Sequence, residues 1–144
     1  MIAELKQNLG LKHPIVVRGI TSGSDALKAV QSGADGIWIT NQGQSKHFDS
    51  LPPAIDILSE VNEALKQAGI ENCDLLYSGG IRRGTDVLKA IAYGAKAVFL
   101  DPETIYWALA HEQSISNLLT MMDAELKLCM VLTHCYEVSE ITEK

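Results

Sequence analysis

The sequence predicts an α/β fold, short parallel strands alternating with helices, on three observations. First, Gly19–Thr40 (GITSGSDALKAVQSGADGIWIT) recurs as Gly80–Asp101 (GIRRGTDVLKAIAYGAKAVFLD), without a gap and at an offset of 61 residues. A unit repeated at this period marks an architecture built by iteration. Second, the strand candidates are continuous apolar runs without polar alternation, the pattern of parallel strands covered by helices. Third, the repeated amphipathic helix closes on a glycine in both copies, which suits the left-handed position just past a helix end.

The elements follow in order. Ile2 to Leu9 reads as a polar amphipathic helix, and Pro14-Ile15-Val16-Val17 as the first strand, ended by Arg18-Gly19. Ser24 stands as an N-cap before an acidic first turn. The helix Asp25 to Gln31 follows, and Gly33 ends it before the strand Gly36-Ile37-Trp38-Ile39. A polar loop, Asn41 to Asp49, leads to the helix Pro53 to Ala68. The second copy repeats the plan: strand Asp74-Leu75-Leu76-Tyr77, N-cap Thr85, helix Asp86 to Ala92, stop at Gly94, strand Ala97-Val98-Phe99-Leu100. Two further helices run from Glu103 to Ala110 and from Ile115 to Leu132. In the second, Ile115, Leu118, Leu119, Met122, Leu126 and Met130 form one apolar stripe at helical spacing. Parallel strands with right-handed crossovers follow from this order. Both a (β/α)8 barrel and a flavodoxin-like open sheet share that local grammar, and periodicity leaves both open.

The bulk numbers bound the function. Residues 1–144 are enough for one domain with a real core. Apolar residues make up 47% and charged residues 21%, as in an ordinary globular protein. A formal net charge of -6 argues against a nucleic-acid partner or an anionic membrane surface. No stretch approaches the roughly 18 apolar residues of a membrane span, and Met1 to Leu9 does not read as a secretory signal. Cys73, Cys129 and Cys135 are odd in number and widely spaced, which reads as reduced thiols in a cytoplasmic type of compartment. None has a CxxC partner, so no metal site is expected.

In either architecture ligands bind at the carboxyl ends of the strands. The most informative end is Ser78-Gly79-Gly80-Ile81-Arg82-Arg83-Gly84-Thr85-Asp86. Glycines let a backbone approach an anion, and a following helix N-terminus stabilises it. Arg82 and Arg83 can add charge-assisted hydrogen bonds. Arg18 ends an apolar strand, where a charge faces a ligand or a carboxylate. The loop after Thr40 carries one ammonium, Lys46, and one imidazole, His47.

These residues carry a resemblance. Pro14 to Ile20, Gly33-Ala34-Asp35-Gly36-Ile37, Gly79 to Ala90 and the tail Glu125 to Thr133 with Glu137 to Ile141 resemble the FMN-dependent 2-hydroxy-acid oxidases. Nearly the whole chain is covered, and Gly-Gly-x-Arg-Arg-Gly-Thr-Asp is a specific segment. The resemblance implies strands five to eight of a TIM-type (β/α)8 barrel, a half barrel with C-terminal helices, beginning in the helix before the fifth strand. It implies FMN as cofactor and oxidation of a 2-hydroxy acid to a 2-oxo acid.

Carried over position by position, the family's flavin-facing lysine is matched by Arg18 and its flavin-touching Ser/Thr by Thr40. Ser78 stands where the family has the acidic partner of its catalytic base and is counted, with Arg18, Thr40, Gly79, Gly80, Arg82 and Arg83, among the candidate cofactor-binding residues. Gly79, Gly80, Arg82 and Arg83 match the phosphate segment. Gln42 stands at the catalytic histidine, and an amide cannot take up the substrate proton at neutral pH. Lys46 is nearest to the substrate-binding arginine, after one inserted residue. The later Gly-Arg-Pro clamp is displaced by Asp101-Pro102-Glu103, whose carboxylates would repel a phosphate dianion. No catalytic residue is therefore assigned, and FMN binding is expected to be weakened or lost.

The expectation is a degenerate, catalytically inactive relative that keeps part of the FMN phosphate site. Two alternatives stay open: a working oxidoreductase whose missing half barrel comes from another chain, and a phosphate-ligand binder without redox chemistry. Open strand edges call for a homodimer or a complementing chain that completes the barrel. Localisation is expected to be cytoplasmic, or peroxisomal if the chain follows its family. The ending Thr142-Glu143-Lys144 is not a peroxisomal address.

Overall fold

Alternation of apolar strand and amphipathic helix runs through the whole computed structural model, which describes residues 2–10, 12–40, 52–110 and 114–142. Helix α1 (Ile2–Asn8) precedes strand β1 (Val16–Ile20), α2 (Gly23–Gln31), β2 (Gly36–Ile39), α3 (Ala54–Gln67), β3 (Asp74–Ser78), α4 (Gly84–Ala92), β4 (Ala97–Phe99), α5 (Pro102–Ala110) and α6 (Ile115–Leu132). A single 3-10 turn, Val138–Glu140, follows. The sheet is all parallel and its spatial order is the chain order, β1-β2-β3-β4. Consecutive winding without a reversal settles the point that periodicity left open. It is the path of a barrel, whereas a flavodoxin-like sheet changes direction after its first crossover.

Side chains alternate across the strands. Ile37, Ile39, Leu75 and Tyr77 point to the helices and are buried against Ala26, Ile57, Leu58, Val61, Leu65 and Ala90. The opposite, concave face is thinly covered. Val16 there remains 40% exposed and Phe99 38%. The prediction that helices cover continuous apolar strands thus holds for one face, while the concave face carries Arg18, Trp38, Leu76 and Ala97 at one rank of the register.

Two local expectations are corrected. The first strand was placed at Pro14–Val17 and ended by Arg18, but β1 continues through Arg18 and Gly19 to Ile20. Its pairing with β2 shifts between Arg18 and Ile20, where Gly19 has φ +89°. A glycine-centred bulge therefore lets the strand resume after an interruption that looked like its end. The helix caps also sit earlier than Ser24 and Thr85. Ser22 caps α2, its Oγ accepting from Asp25 N at 3.2 Å, and α4 starts after Arg83. Asp86 supplies the acceptor for that second helix. Both helices end as predicted, with Gly33 (φ +102°) and Gly94 (φ +96°) just beyond their last turns. Amides of Gly33 and Ala34 donate to Val30 O and Ala29 O, and those of Gly94 and Ala95 to Ile91 O and Ala90 O. This paired closure needs a left-handed residue.

The stripe on α6 is only partly a packing face. Leu118 and Met122 are buried, whereas Ile115 and Leu119 are exposed. The contact that fixes α6 is its close approach to the start of α4: a Cβ on Gly84 would lie 2.4 Å from Leu126 N and 2.5 Å from Met122 O. Tyr106 and Trp107 of α5 face solvent.

Candidate functional site

The carboxyl ends of β1, β2 and β3 bring Arg18, Thr40, Ser78, Gly79 and Gly80 to one rim of the sheet. Arg82 and Arg83 follow in the turn that enters α4. Gln42 and Lys46, together with His47, lie outside the described residues. The rim residues the structure does describe are engaged by their own chain.

Trp38 organises the concave side. Its ring stacks on Phe99, centroids 4.5 Å apart and planes 28° from parallel. The guanidinium carbon of Arg18 lies 5.0 Å from the Trp38 centroid, a cation–π contact. The indole Nε1 donates to Ser78 Oγ at 3.1 Å. Ser78 is 3% exposed and Thr40 5%, so both hydroxyls are inside the fold. Arg18 and Ser78 are thereby tied to one aromatic ring that reaches diagonally across β3.

The turn after β3 is equally committed. Gly80 N donates to Asp101 Oδ2 at 3.1 Å. Arg82 N and Arg83 N both donate to Asp86 Oδ2, at 3.0 and 3.1 Å. Gly84 N donates to Glu125 Oε2 at 2.9 Å. Thr104 Oγ1 donates to Ile81 O at 3.0 Å, which ties the first turn of α5 to the same segment. Four amides that an anion could use are thus held by three carboxylates, one from α4, one from α6 and one from the link between β4 and α5. The Tyr77 hydroxyl donates to Gly79 O at 2.7 Å beneath the turn. Burial first, then the negative charges of Asp101, Asp86 and Asp56, push its phenol up to about 12.

Sequence reasoning singled out Arg18, Ser78, Gly80 and Asp101, and the fold brings these to one rim. It missed Trp38 and Phe99, which it read as strand core. A signal was available: in Gly36-Ile37-Trp38-Ile39 the indole alternates to the face opposite Ile37 and Ile39. Glu60, whose Oε1 accepts from Gly23 N at the start of α2 at 2.7 Å, and Glu125 left no local signal at all.

Fold and rim together define a barrel-type α/β protein whose strand-end turn has the composition of an anion-binding turn. The chain belongs to the FMN-dependent dehydrogenase family, whose model matches residues 1–144. It is 42% identical over 130 residues to 2-hydroxyacid oxidase 1 of Mus musculus, covering 89% of this chain and 34% of that protein. It is 39% identical over 132 residues to glycolate oxidase 1 of Zea mays, covering 91% of this chain and 34% of that protein. Among solved structures, a flavocytochrome b2 variant with benzoylformate superposes at a TM-score of 0.86 with 30% identity, covering 98% of this chain and 36% of that one. Mandelate oxidase with (S)-4-hydroxymandelic acid gives 0.76 with 36% identity, covering 92% of this chain and 36% of that one. The chain spans about a third of the length of the curated relatives it matches.

The resemblance assigned Gly79, Gly80 and Arg82 to the cofactor phosphate, and the structure tests that fit at Gly80. As folded, the amide already holds a carboxylate oxygen, so the residues present do not fit a phosphate dianion at that position.

Proposed function

We propose that this chain is a degenerate member of its family, keeping part of the barrel of an FMN-dependent 2-hydroxy-acid oxidase without the oxidation chemistry. One observation carries the reading: Ser78, where the resemblance calls for a carboxylate to orient the base, is a buried neutral hydroxyl occupied by the Trp38 indole. A hydroxyl cannot hold a charged imidazolium as a carboxylate does. The sequence supports the same conclusion at Gln42, which has no basic nitrogen. General acid–base catalysis contributes about a hundred- to ten-thousand-fold in rate, so losing both members removes most of the activity.

The deciding assay gives the purified chain excess FMN with glycolate, lactate or a longer 2-hydroxy acid and follows 2-oxo acid formation. No turnover above FMN alone is expected. Turnover at about 1 per second or faster, ordinary for an enzyme, would overturn the proposal.

A second reading draws on the sheet edges. Within the described residues β1 and β4 pair on one side only, and Val16 and Phe99 are exposed beside those edges. Unpaired edges favour a second copy of the chain, or another polypeptide carrying the remaining strands, as the completing partner. Sedimentation of the purified chain tests this, and a monodisperse monomer counts against it. We place the chain in the cytoplasm or, following an Arabidopsis thaliana relative named as peroxisomal, in the peroxisome. Cell fractionation separates the two. Among the described residues no helix is long and apolar enough to cross a membrane.

A further inference from the structure

We infer that Asp101 acts as a built-in anion that holds the Gly80 amide and closes the strand-end turn to phosphate monoesters, FMN's among them. The inference concerns anion binding at this turn and is read by binding rather than by turnover.

The turn from Gly79 to Gly84 has the composition of a phosphate cradle, with glycines, two arginines and a helix start. In such a cradle the amides point at an external anion. Here Arg82 N and Arg83 N are held by Asp86, the third residue of α4, in an ordinary acidic cap. Gly84 N is held by Glu125 from α6. Both of these carboxylates serve the start of α4. Asp101, directly after β4 and before α5, holds the Gly80 amide at 3.1 Å.

Asp101 is anchored for this role. Its own carbonyl accepts from Thr104 N at 3.1 Å, and the Thr104 hydroxyl donates back to Ile81 O. Residues 101 and 104 thus clamp residues 80 and 81 by two hydrogen bonds. An incoming phosphate would have to displace a carboxylate that brings its own charge, and would meet Asp86 on the adjacent turn. The Tyr77 phenol beneath the turn is raised mainly by burial, with Asp101 and Asp86 adding to it. Arg82 and Arg83 remain as cations of the turn, so the device is local: removal of Asp101 leaves these two cations balanced by Asp86 and Glu125 and frees the Gly80 amide.

The test measures binding of inorganic phosphate, FMN and riboflavin to the wild-type chain, Asp101→Gly and Asp101→Asn, by calorimetry and by flavin fluorescence. Wild type is expected to show no saturable phosphate binding at millimolar concentration. Asp101→Gly is expected to tighten phosphate and FMN binding by at least about tenfold, as the loss of a like charge within a few ångström implies. Riboflavin, which lacks the phosphate, gains nothing. Asp101→Asn, nearly isosteric, keeps the fold if the glycine variant does not and is expected to gain less. Equal FMN affinity in wild type and either folded variant overturns the inference, as does an equal gain for riboflavin. A further readout is the Gly80 amide resonance. It is expected to differ between wild type and Asp101→Asn and, in the wild type, to ignore added phosphate at neutral pH. A saturable phosphate-induced shift would overturn the inference.

Discussion

Replacing Gly84 by alanine puts a single methyl where two helices touch. The new Cβ would stand 2.4 Å from Leu126 N, 2.5 Å from Met122 O and 2.7 Å from Glu125 Cβ. All three belong to α6, and two are backbone atoms that cannot rotate away. Ordinary carbon contacts begin near 3.5 Å, so α4 and α6 must separate by about 1 Å. Overpacking of this kind costs about 1–3 kcal/mol. The same retreat stretches the 2.9 Å bond from Gly84 N to Glu125 Oε2. A hydrogen bond to a charged group contributes about 1.5–3 kcal/mol. Against this, alanine in a helix gains at most about 1 kcal/mol over glycine.

The losses win, and Gly84→Ala is expected to destabilise the fold by about 3 kcal/mol. At roughly 2–4 °C per kcal/mol for a chain of this size, Tm falls by about 6–12 °C. Thermal and urea unfolding followed by circular dichroism measure it. Gly69→Ala is the comparison. Its φ is +67° with nothing within 4 Å of the added Cβ, so only the left-handed strain of about 1–2 kcal/mol remains. In the Gly84→Ala background, Glu125→Gln should cost little, because its bond is already lost. A Gly84→Ala protein as stable as wild type would show that α4 and α6 do not meet closely at this glycine.

Three further outcomes are expected. Glu60→Ala leaves the buried Gly23 amide without its 2.7 Å acceptor and should lower stability by about 1–3 kcal/mol in urea unfolding, with Glu60→Gln recovering much of it. Asp35 has its carboxyl held below the usual value by the Lys6 ammonium first and by the Ile15 amide second. A depressed folded pKa contributes stability above about pH 4 that is lost as pH falls through the folded value. Unfolding curves of Asp35→Asn and wild type should therefore converge in acid and differ near neutrality. Tyr77 runs the opposite way: with its phenol pushed up to about 12, the native state keeps a proton that the unfolded chain gives up near about 10. Stability should fall as pH rises across that window. Subtracting the phenolate absorbance titration of Tyr77→Phe from that of wild type should isolate this late-ionising group.

Much of the fold was legible because its determinants are local in sequence. The gapless repeat of Gly19–Thr40 in Gly80–Asp101 fixed the order of strands and helices, and Gly33 and Gly94 fixed where two helices stop. The rim was legible for the same reason, since strand ends follow from strand positions. The bulge at Gly19 was not, because an arginine and a glycine inside a strand read as its end until β2 supplies the partner for Ile20.

By itself, then, the sequence determined the α/β alternation, the family resemblance and the absence of an imidazole at Gln42. The tertiary structure alone decided the consecutive strand order, the seating of Trp38 against Arg18, Phe99 and Ser78, and the use of Glu60 and Glu125 as caps for helices that begin 37 and 41 residues away. It also decided that Asp101 meets Gly80 across 21 residues. The physical reason is common to all of these: periodicity and turn chemistry act within a few residues, whereas a hydrogen bond between distant residues exists only once the sheet has set their distance.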